Sequence, residues 1–568
     1  MNDEQQYNPS PYIINDPLYS LPFDVITNIV ILLPQDVRVE CLKVSRLWRE
    51  HILACAEAWF IVSLENGEDD NPMAELAYDI SKHVKHLKMT TTSEHVCSQY
   101  LKQLRAGHFT RIQSLKIAEE PSINGLEVYN DYNATNRAHH NVVEKTLQTL
   151  QIENTLTYLD INVGFTCNPE ISIAEVIATF PYLTDLIFSS ESRFYPQVEY
   201  FYDIMTTPHQ YMINLELRAS IILETDIKCI ATFCPKLRRL VLNGCVNKVL
   251  HAIVECQNTT MKNLEIFAFN PDNIHPPIPT LSTLSTKTQT MVNDNGIDES
   301  NEEKGLRILY TNNGCTPVPT EDILPLIYQN RETLETIYAC ISRLTDIELE
   351  YLYNKYVNFE LKKIKYLTIW LAKGIQQWML GAIKNSTSLV WLELVDIWDV
   401  NALMDTLIKM PPLYHIKLVA ASMKPSDHKK LIQLLERYAQ IANDGKTDSL
   451  RSIAIQFCDN VITDDILGTL GNIKTLEEVW LGGLTHTTSV VEIHTFIAKL
   501  GKQQLKGIYF DRISVITDTT IATVLGDMVD TLSYIKLKEL EYISDNGIRA
   551  LIDKKTNDKN GLSLLLEL

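Results

Sequence analysis

The sequence predicts an α/β solenoid: a parallel sheet laid down one short strand per repeat, with helices on its outer side, preceded by a small helical segment. Three observations carry this. A spacing of apolar anchors at the first, fourth and sixth positions recurs sixteen times between residues 84 and 537. Twelve of the fifteen intervals between successive first anchors lie between 24 and 30 residues, so the pattern is periodic and not a by-product of Leu content. The first sixty residues lack the repeat and show helical apolar spacing instead.

The 568 residues are 45% hydrophobic and 21% charged, ordinary values for a folded chain. Lys plus Arg number 51 against 71 Asp plus Glu, a formal charge of −20. A chain this acidic repels a phosphate backbone unless it has a local basic face, and no basic run appears, so no nucleic-acid partner is expected. Eleven scattered cysteines do not make a disulfide framework, and the polar start reads as no signal peptide. No apolar run reaches the roughly 18 residues needed to cross a membrane, so no membrane partner is expected either. A cytoplasmic or nuclear location follows as an expectation.

Residues 1–17 are polar with scattered Pro and Tyr and read as disordered. A helix then starts at Pro22, where the missing N–H costs nothing, with Val25, Ile29 and Leu32 on one stripe. Pro34 ends it. A second amphipathic segment runs from Asp36 through Val37, Cys41, Leu42 and Val44, and a third from near Trp48 to Ala58–Trp59. Cys41 and Cys55 read as helix packing residues. Three short helices in about forty residues bury little area, so residues 18–60 need support from the array and from a partner. A plain helical cap for the solenoid accounts for the helices, but not for an apolar stripe on more than one face.

Residues 61–568 read as the repeat array, led in by Phe60 to Leu64 as a strand. Representative anchors are Leu237/Leu240/Leu242, Leu389/Leu392/Leu394 and Leu476/Val479/Leu481. The fourth and sixth positions share the inward face of a strand, and the first enters the same core from the preceding turn. One unit cannot bury its own apolar face, so neighbours must stack. Helix starts are legible at Thr463 followed by Asp464–Asp465, at Thr517–Asp518, and at Ser544–Asp545. Three long intervals hold insertions near 119–145, 271–303 and 421–449. The second, rich in Pro, Ser and Thr, reads as a flexible loop. The third contains Leu431 to Leu435 and reads as a longer helix. Leu562 to Leu568 read as a final strand with no polar capping unit after it; either the array ends poorly shielded or the sequence stops early.

The Cys or Asn after a strand, followed by an Ile-Thr-Asp helix start, resembles the cysteine-containing subclass of the leucine-rich repeat family. Cys458 with Val461-Ile462-Thr463-Asp464-Asp465 matches well, and Ile516-Thr517-Asp518 in part. That resemblance covers about 84–540 and implies a horseshoe with a parallel concave sheet and helices outside. The front segment resembles an F-box: Leu21-Pro22-Phe23-Asp24-Val25 matches its opening and Val44-Ser45-Arg46-Leu47-Trp48 its close. The combination resembles the substrate receptors of SCF-type ubiquitin ligases. It implies that the F-box binds the adaptor subunit, and through it cullin and RING subunits, while the repeats hold a protein substrate for ubiquitin-dependent degradation. Carried over by position, Leu21, Pro22, Val25, Ile29 and Leu32 lie against the adaptor, with Leu42, Val44 and Trp48 completing the surface or its support. The alternative is a non-catalytic repeat scaffold whose F-box is degenerate.

Residues flanking the fourth-position anchor point away from the core. In the second half these are often aromatic: Tyr310, Tyr338, Tyr366, Trp370, Trp391, Trp480, Tyr509 and Tyr534, with Glu393, His415, Lys417, Asp511 and Lys536 beside them. Tyr and Trp dominate binding hot spots, which makes this row the candidate substrate face. Aromatics also suit strands, so repeat-to-repeat stacking is the competing explanation. No phosphate-cradling glycine motif appears; Gly482–Gly483 reads as a turn. His83 and His86 lie three apart, but no Cys or acidic ligand joins them, which argues against a metal. No enzymatic activity and no cofactor are expected: such a receptor works by proximity.

Overall fold

The computed structural model describes residues 21–64, 73–90, 94–118, 155–163, 173–190, 205–270, 304–311, 317–342, 350, 354–356, 359–371, 374–421, 425–445, 449–456, 463–483, 488–503, 505–522, 528, 532–549 and 563–567. The insertions near 119–145 and 271–303, and Cys458 with Val461 and Ile462, lie outside them. The chain divides into two compact units, 1–252 with 258–263, and 253–257 with 264–568.

The first unit opens with α1 (Phe23–Leu32), α2 (Gln35–Cys41) and α3 (Arg46–Ala54). Pro22 is the N-cap of α1, and Pro34, which stops α1, is the N-cap of α2. The third helix starts earlier than its apolar spacing predicts, because the Ser45 hydroxyl accepts the Trp48 N–H and fixes the first turn. It stops at Ala54 instead of reaching Trp59. A short 3-10 turn, Ala56–Trp59, folds the fully buried Trp59 ring back so that its Nε1 donates to the Ile52 carbonyl at 2.9 Å. The Gln35 side chain then ties this layer to the first strand, donating to the Ser63 carbonyl and accepting its N–H.

That strand is β1 (Ile61–Leu64). The unit continues with α4 (Met73–Ile80), β2 (His86–Thr90), α5 (Glu94–Arg105), β3 (Ser114–Ala118), β4 (Tyr158–Val163), α6 (Ile173–Thr179), β5 (Asp185–Ser190), β6 (Asn214–Ile222), α7 (Glu224–Phe233) and β7 (Arg239–Cys245). Strands β1 to β7 pair in chain order, every pair parallel. Parallel neighbours need a crossover, and each interval supplies one. Helix α8 (Val249–Gln257) follows.

The second unit holds β8 (Ile266–Phe269), β9 (Ile308–Tyr310), α9 (Thr320–Gln329), β10 (Thr336–Cys340), β11 (Tyr366–Trp370), α10 (Ile375–Ile383), β12 (Trp391–Ile397), α11 (Val400–Lys409), β13 (His415–Ala421), α12 (Pro425–Asn443), β14 (Ser452–Gln456), α13 (Asp464–Leu470), β15 (Glu478–Gly482), α14 (Val490–Leu500), β16 (Gly507–Asp511), α15 (Asp518–Thr520), β17 (Tyr534–Lys538) and β18 (Ser563–Glu567). Strands β8 to β18 also pair in chain order and in parallel. Helix α11 packs on α12, α12 on α13, and α13 on α14. The third insertion is the 19-residue α12, as its apolar spacing predicts.

The sixteen predicted strands are β2 to β17, and the sheet registers align anchor with anchor. No first, fourth or sixth anchor is more than 4% exposed. The one polar anchor, Thr311, is 1% exposed, and its hydroxyl accepts the Cys340 N–H at 3.2 Å. The turn before each strand repeats a second device. In the second unit, for example, the Glu265 carbonyl accepts the N–H groups of both Arg307 and Ile308, and the same pairing steps through Arg307, Glu335 and Lys365. These rung residues alternate in charge. Arg307 bonds Glu335 at 2.6 Å and Lys365 bonds Glu335 at 2.7 Å. Burial alone would raise the Glu335 carboxyl, but its two cations outweigh that and hold it below the ordinary range.

Candidate functional site

Two surfaces carry the residues singled out from the sequence. The first is the outer face of α1 and α3. Ile26 and Val30 turn inward and are buried, which leaves the opposite stripe of α1 bare. Val25 is 42%, Ile29 46% and Leu32 83% exposed, and Val44 at the approach to α3 is 63% exposed. Leu21 and Pro22 are exposed as well. Leu42 is buried and packs from beneath, and Trp48 is half-buried. Phe23 and Leu47, which the stripe spacing does not pick out, are also exposed, and the Phe23 ring meets His51 edge-on at 4.5 Å. So many large apolar side chains exposed on one small helical layer make it the first candidate surface.

The second surface is the outward row of the second unit. The register β11–β12–β13 sets Tyr366 beside Trp391 beside His415, and Thr368 beside Glu393 beside Lys417. Trp391 stacks on the His415 ring at 3.6 Å with an 11° interplanar angle. Its Nε1 donates to Glu393 at 2.8 Å, and Lys417 lies 3.2 Å from the other Glu393 oxygen. Burial would raise the Glu393 carboxyl, but His415, Lys417 and Trp391 together outweigh it and bring it down to about 2. The charge is therefore already matched within the chain.

Aromatic clusters flank this group. Tyr310 stacks on Tyr338 at 5.6 Å, and Tyr338 meets Trp370 edge-on at 5.3 Å. On the other side Trp480 meets Tyr509 edge-on at 5.3 Å and bonds the Tyr534 hydroxyl through Nε1 at 2.9 Å. Lys536 Nζ lies over the Tyr509 ring at 5.3 Å. The row is thus less open than its outward direction implies. Tyr310, Tyr509, Asp511 and His415 are all buried by their neighbours, and Tyr366 is the most exposed of the aromatic set at 37%. Strand alternation reports which way a side chain points, not what lies over it.

Among the described residues no group of three or more His, Cys, Asp or Glu side chains could hold a metal ion. Among them, too, no helix is long and apolar enough to cross a membrane. Neither family profiles nor curated proteins give a match to the chain. Among solved structures, a crystal structure of the Rad7 and Elc1 complex in yeast is similar, with 13% identity over 76% of this chain and 92% of that chain and a TM-score of 0.30.

Proposed function

We propose that the chain is a non-catalytic, protein-binding scaffold of the leucine-rich repeat kind. Its front helices dock one partner, and its outward aromatic row holds another. The observation that carries this is the bare apolar stripe on α1 and α3. Burying one such side chain fully is worth about 1.5–3 kcal/mol, so several together drive association once its entropic cost is met. The aromatic row supports the second contact, through Tyr366, Trp391 and Trp480 above all.

The finer reading is an F-box substrate receptor of an adaptor–cullin ubiquitin ligase. It is favoured by the stripe being solvent-facing, since a plain solenoid cap would turn its apolar face toward the array. Affinity capture from cells with proteasome activity blocked separates the two readings. A receptor brings down adaptor and cullin. The double variant Leu32→Asp/Val44→Asp loses both and keeps its melting temperature, because those side chains touch solvent. A wild-type chain that captures other proteins but neither adaptor nor cullin is a scaffold only.

A further inference from the structure

The chain carries −20 overall, yet residues 82–118 contain seven Lys and Arg against one Glu, a local charge of +6. No contiguous run reveals this, because the cations come from two successive repeats. The fold brings those of the two pre-strand turns together. The turn before β3 lies on the turn before β2, with the N–H groups of Gln113 and Ser114 donating to the Lys85 carbonyl at 2.7 and 3.0 Å. Lys82 and Arg111 are exposed, and both act on the His83 ring between them. Lys85 Nζ sits over the Phe60 ring at 3.8 Å. On the adjoining strands Lys88 and Lys116 are register partners, and Lys116 is matched within the chain by Asp160 on β4 at 2.5 Å, so these two lysines are not part of the cluster.

The contrast with the second unit is informative. There the pre-strand rung residues alternate in sign and pair with each other, whereas the first unit's rung starts Phe60, Lys85, Gln113, Thr157, with Lys85 its one charge over that stretch. Lys82 and Arg111, three and two residues before that rung, make no ion pair among the described residues. The His83 ring bonds the Leu53 carbonyl, while its Nε2 is buried without a partner. Burial, and then Lys82 and Arg111, push His83 below its ordinary value, as expected beside unneutralised positive charge.

We propose that this turn cluster, Lys82, Lys85 and Arg111 around His83, docks a short acidic peptide segment, a run of Asp and Glu, from a protein partner. The patch spans two repeats, and strands are spaced about 4.8 Å apart. At physiological salt its field dies away within about 8 Å. A nucleic acid or a lipid surface would extend beyond that onto a chain whose remaining charge is −26, the difference between −20 and +6. A short acidic segment would not. The proposal does not depend on the helical stripe.

The test is fluorescence anisotropy of a labelled twelve-residue Asp/Glu peptide with the full chain at physiological salt. Binding by wild type is expected. It weakens at least tenfold in Lys82→Glu/Arg111→Glu and also in the milder Lys82→Gln/Arg111→Gln, and less than twofold in the control Lys474→Glu/Lys502→Glu, which alters exposed lysines elsewhere. Absence of wild-type binding overturns the proposal, as does failure of the patch variants to weaken it tenfold or an equal loss in the control. Tighter binding of a twelve-nucleotide single-stranded RNA or of anionic-lipid vesicles overturns it in favour of that ligand.

Discussion

At the scale of single residues, Gly507 shows how one missing side chain shapes the outward row. Gly507 is the register partner of Tyr534, and a Cβ added there would fall inside the Tyr534 ring. The glycine lets Tyr534 lie back across β16 and reach Trp480, two strands away. Gly507→Ala should therefore lower stability by about 1–3 kcal/mol, the usual cost of overpacking. In a Tyr534→Ala background the same substitution should cost little, and a denaturant series on the four variants measures the coupling. Glu393 makes the second case. Its carboxyl sits at about 2 in the folded chain against an ordinary 4.5. A depressed carboxyl contributes stability that is fully present above the unfolded value and is lost as pH falls through the folded one. Glu393→Gln should be less stable than wild type at pH 7, by an amount on the order of 1–3 kcal/mol. That gap should close between about pH 5 and pH 2. A gap unchanged at pH 2 would mean that Glu393 holds its partners by shape and not by charge.

At the scale of elements, the Thr-Asp helix starts have a physical reason. Thr463 and Ser489 cap their own helices, accepting the N–H groups of Ile466 and Glu492. The Asp that follows the Thr reaches forward to the next repeat. Asp464 accepts the Ser489 N–H at 2.9 Å, and Asp518 accepts the Ser544 N–H at 2.8 Å and its hydroxyl at 2.5 Å. One helix start thereby fixes the position of the next. The two bonds from Ser544 hold the exposed Asp518 carboxyl below its ordinary range. A second device recurs past the sixth anchor: Asp396, Ala420, Gly483, Arg512 and Glu539, each two residues beyond it, adopt positive φ; the last three directly follow β15, β16 and β17, while β12 and β13 run on to the Ile397–Ala421 pair. Sequence spacing shows the Thr and the Asp but not the link between them, because their partners lie 25 or 26 residues on. Asp518→Ala should lower stability by removing both bonds to Ser544. Amide exchange at Ser544 should rise with it, and an unchanged rate there would refute the link.

At the scale of the whole molecule, what the sequence made legible is what periodicity encodes. The anchors from Val84 to Leu537 could be read because each must be apolar and each recurs at the repeat length. The burial of Tyr310, Tyr509 and His415, and the basic cluster of Lys82 and Arg111, could not, because both depend on which residue the next repeat sets alongside. The same nearest-neighbour logic governs energetics: within each unit the described strands pair in chain order, so stability there should be a sum of local interfaces. Leu115 tests this within the first unit. It is fully buried on β3, in register with Leu87 on β2 and Leu159 on β4. Leu115→Ala opens a cavity there and should cost about 2–5 kcal/mol. If the repeats act as coupled neighbours, amide exchange in β2, β3 and β4 rises by about a hundredfold, and the increase fades toward β7. If exchange rises equally from β1 to β7, the unit opens all at once. The local-sum account would then be wrong, and the front helices would share the stability of every repeat behind them in that unit.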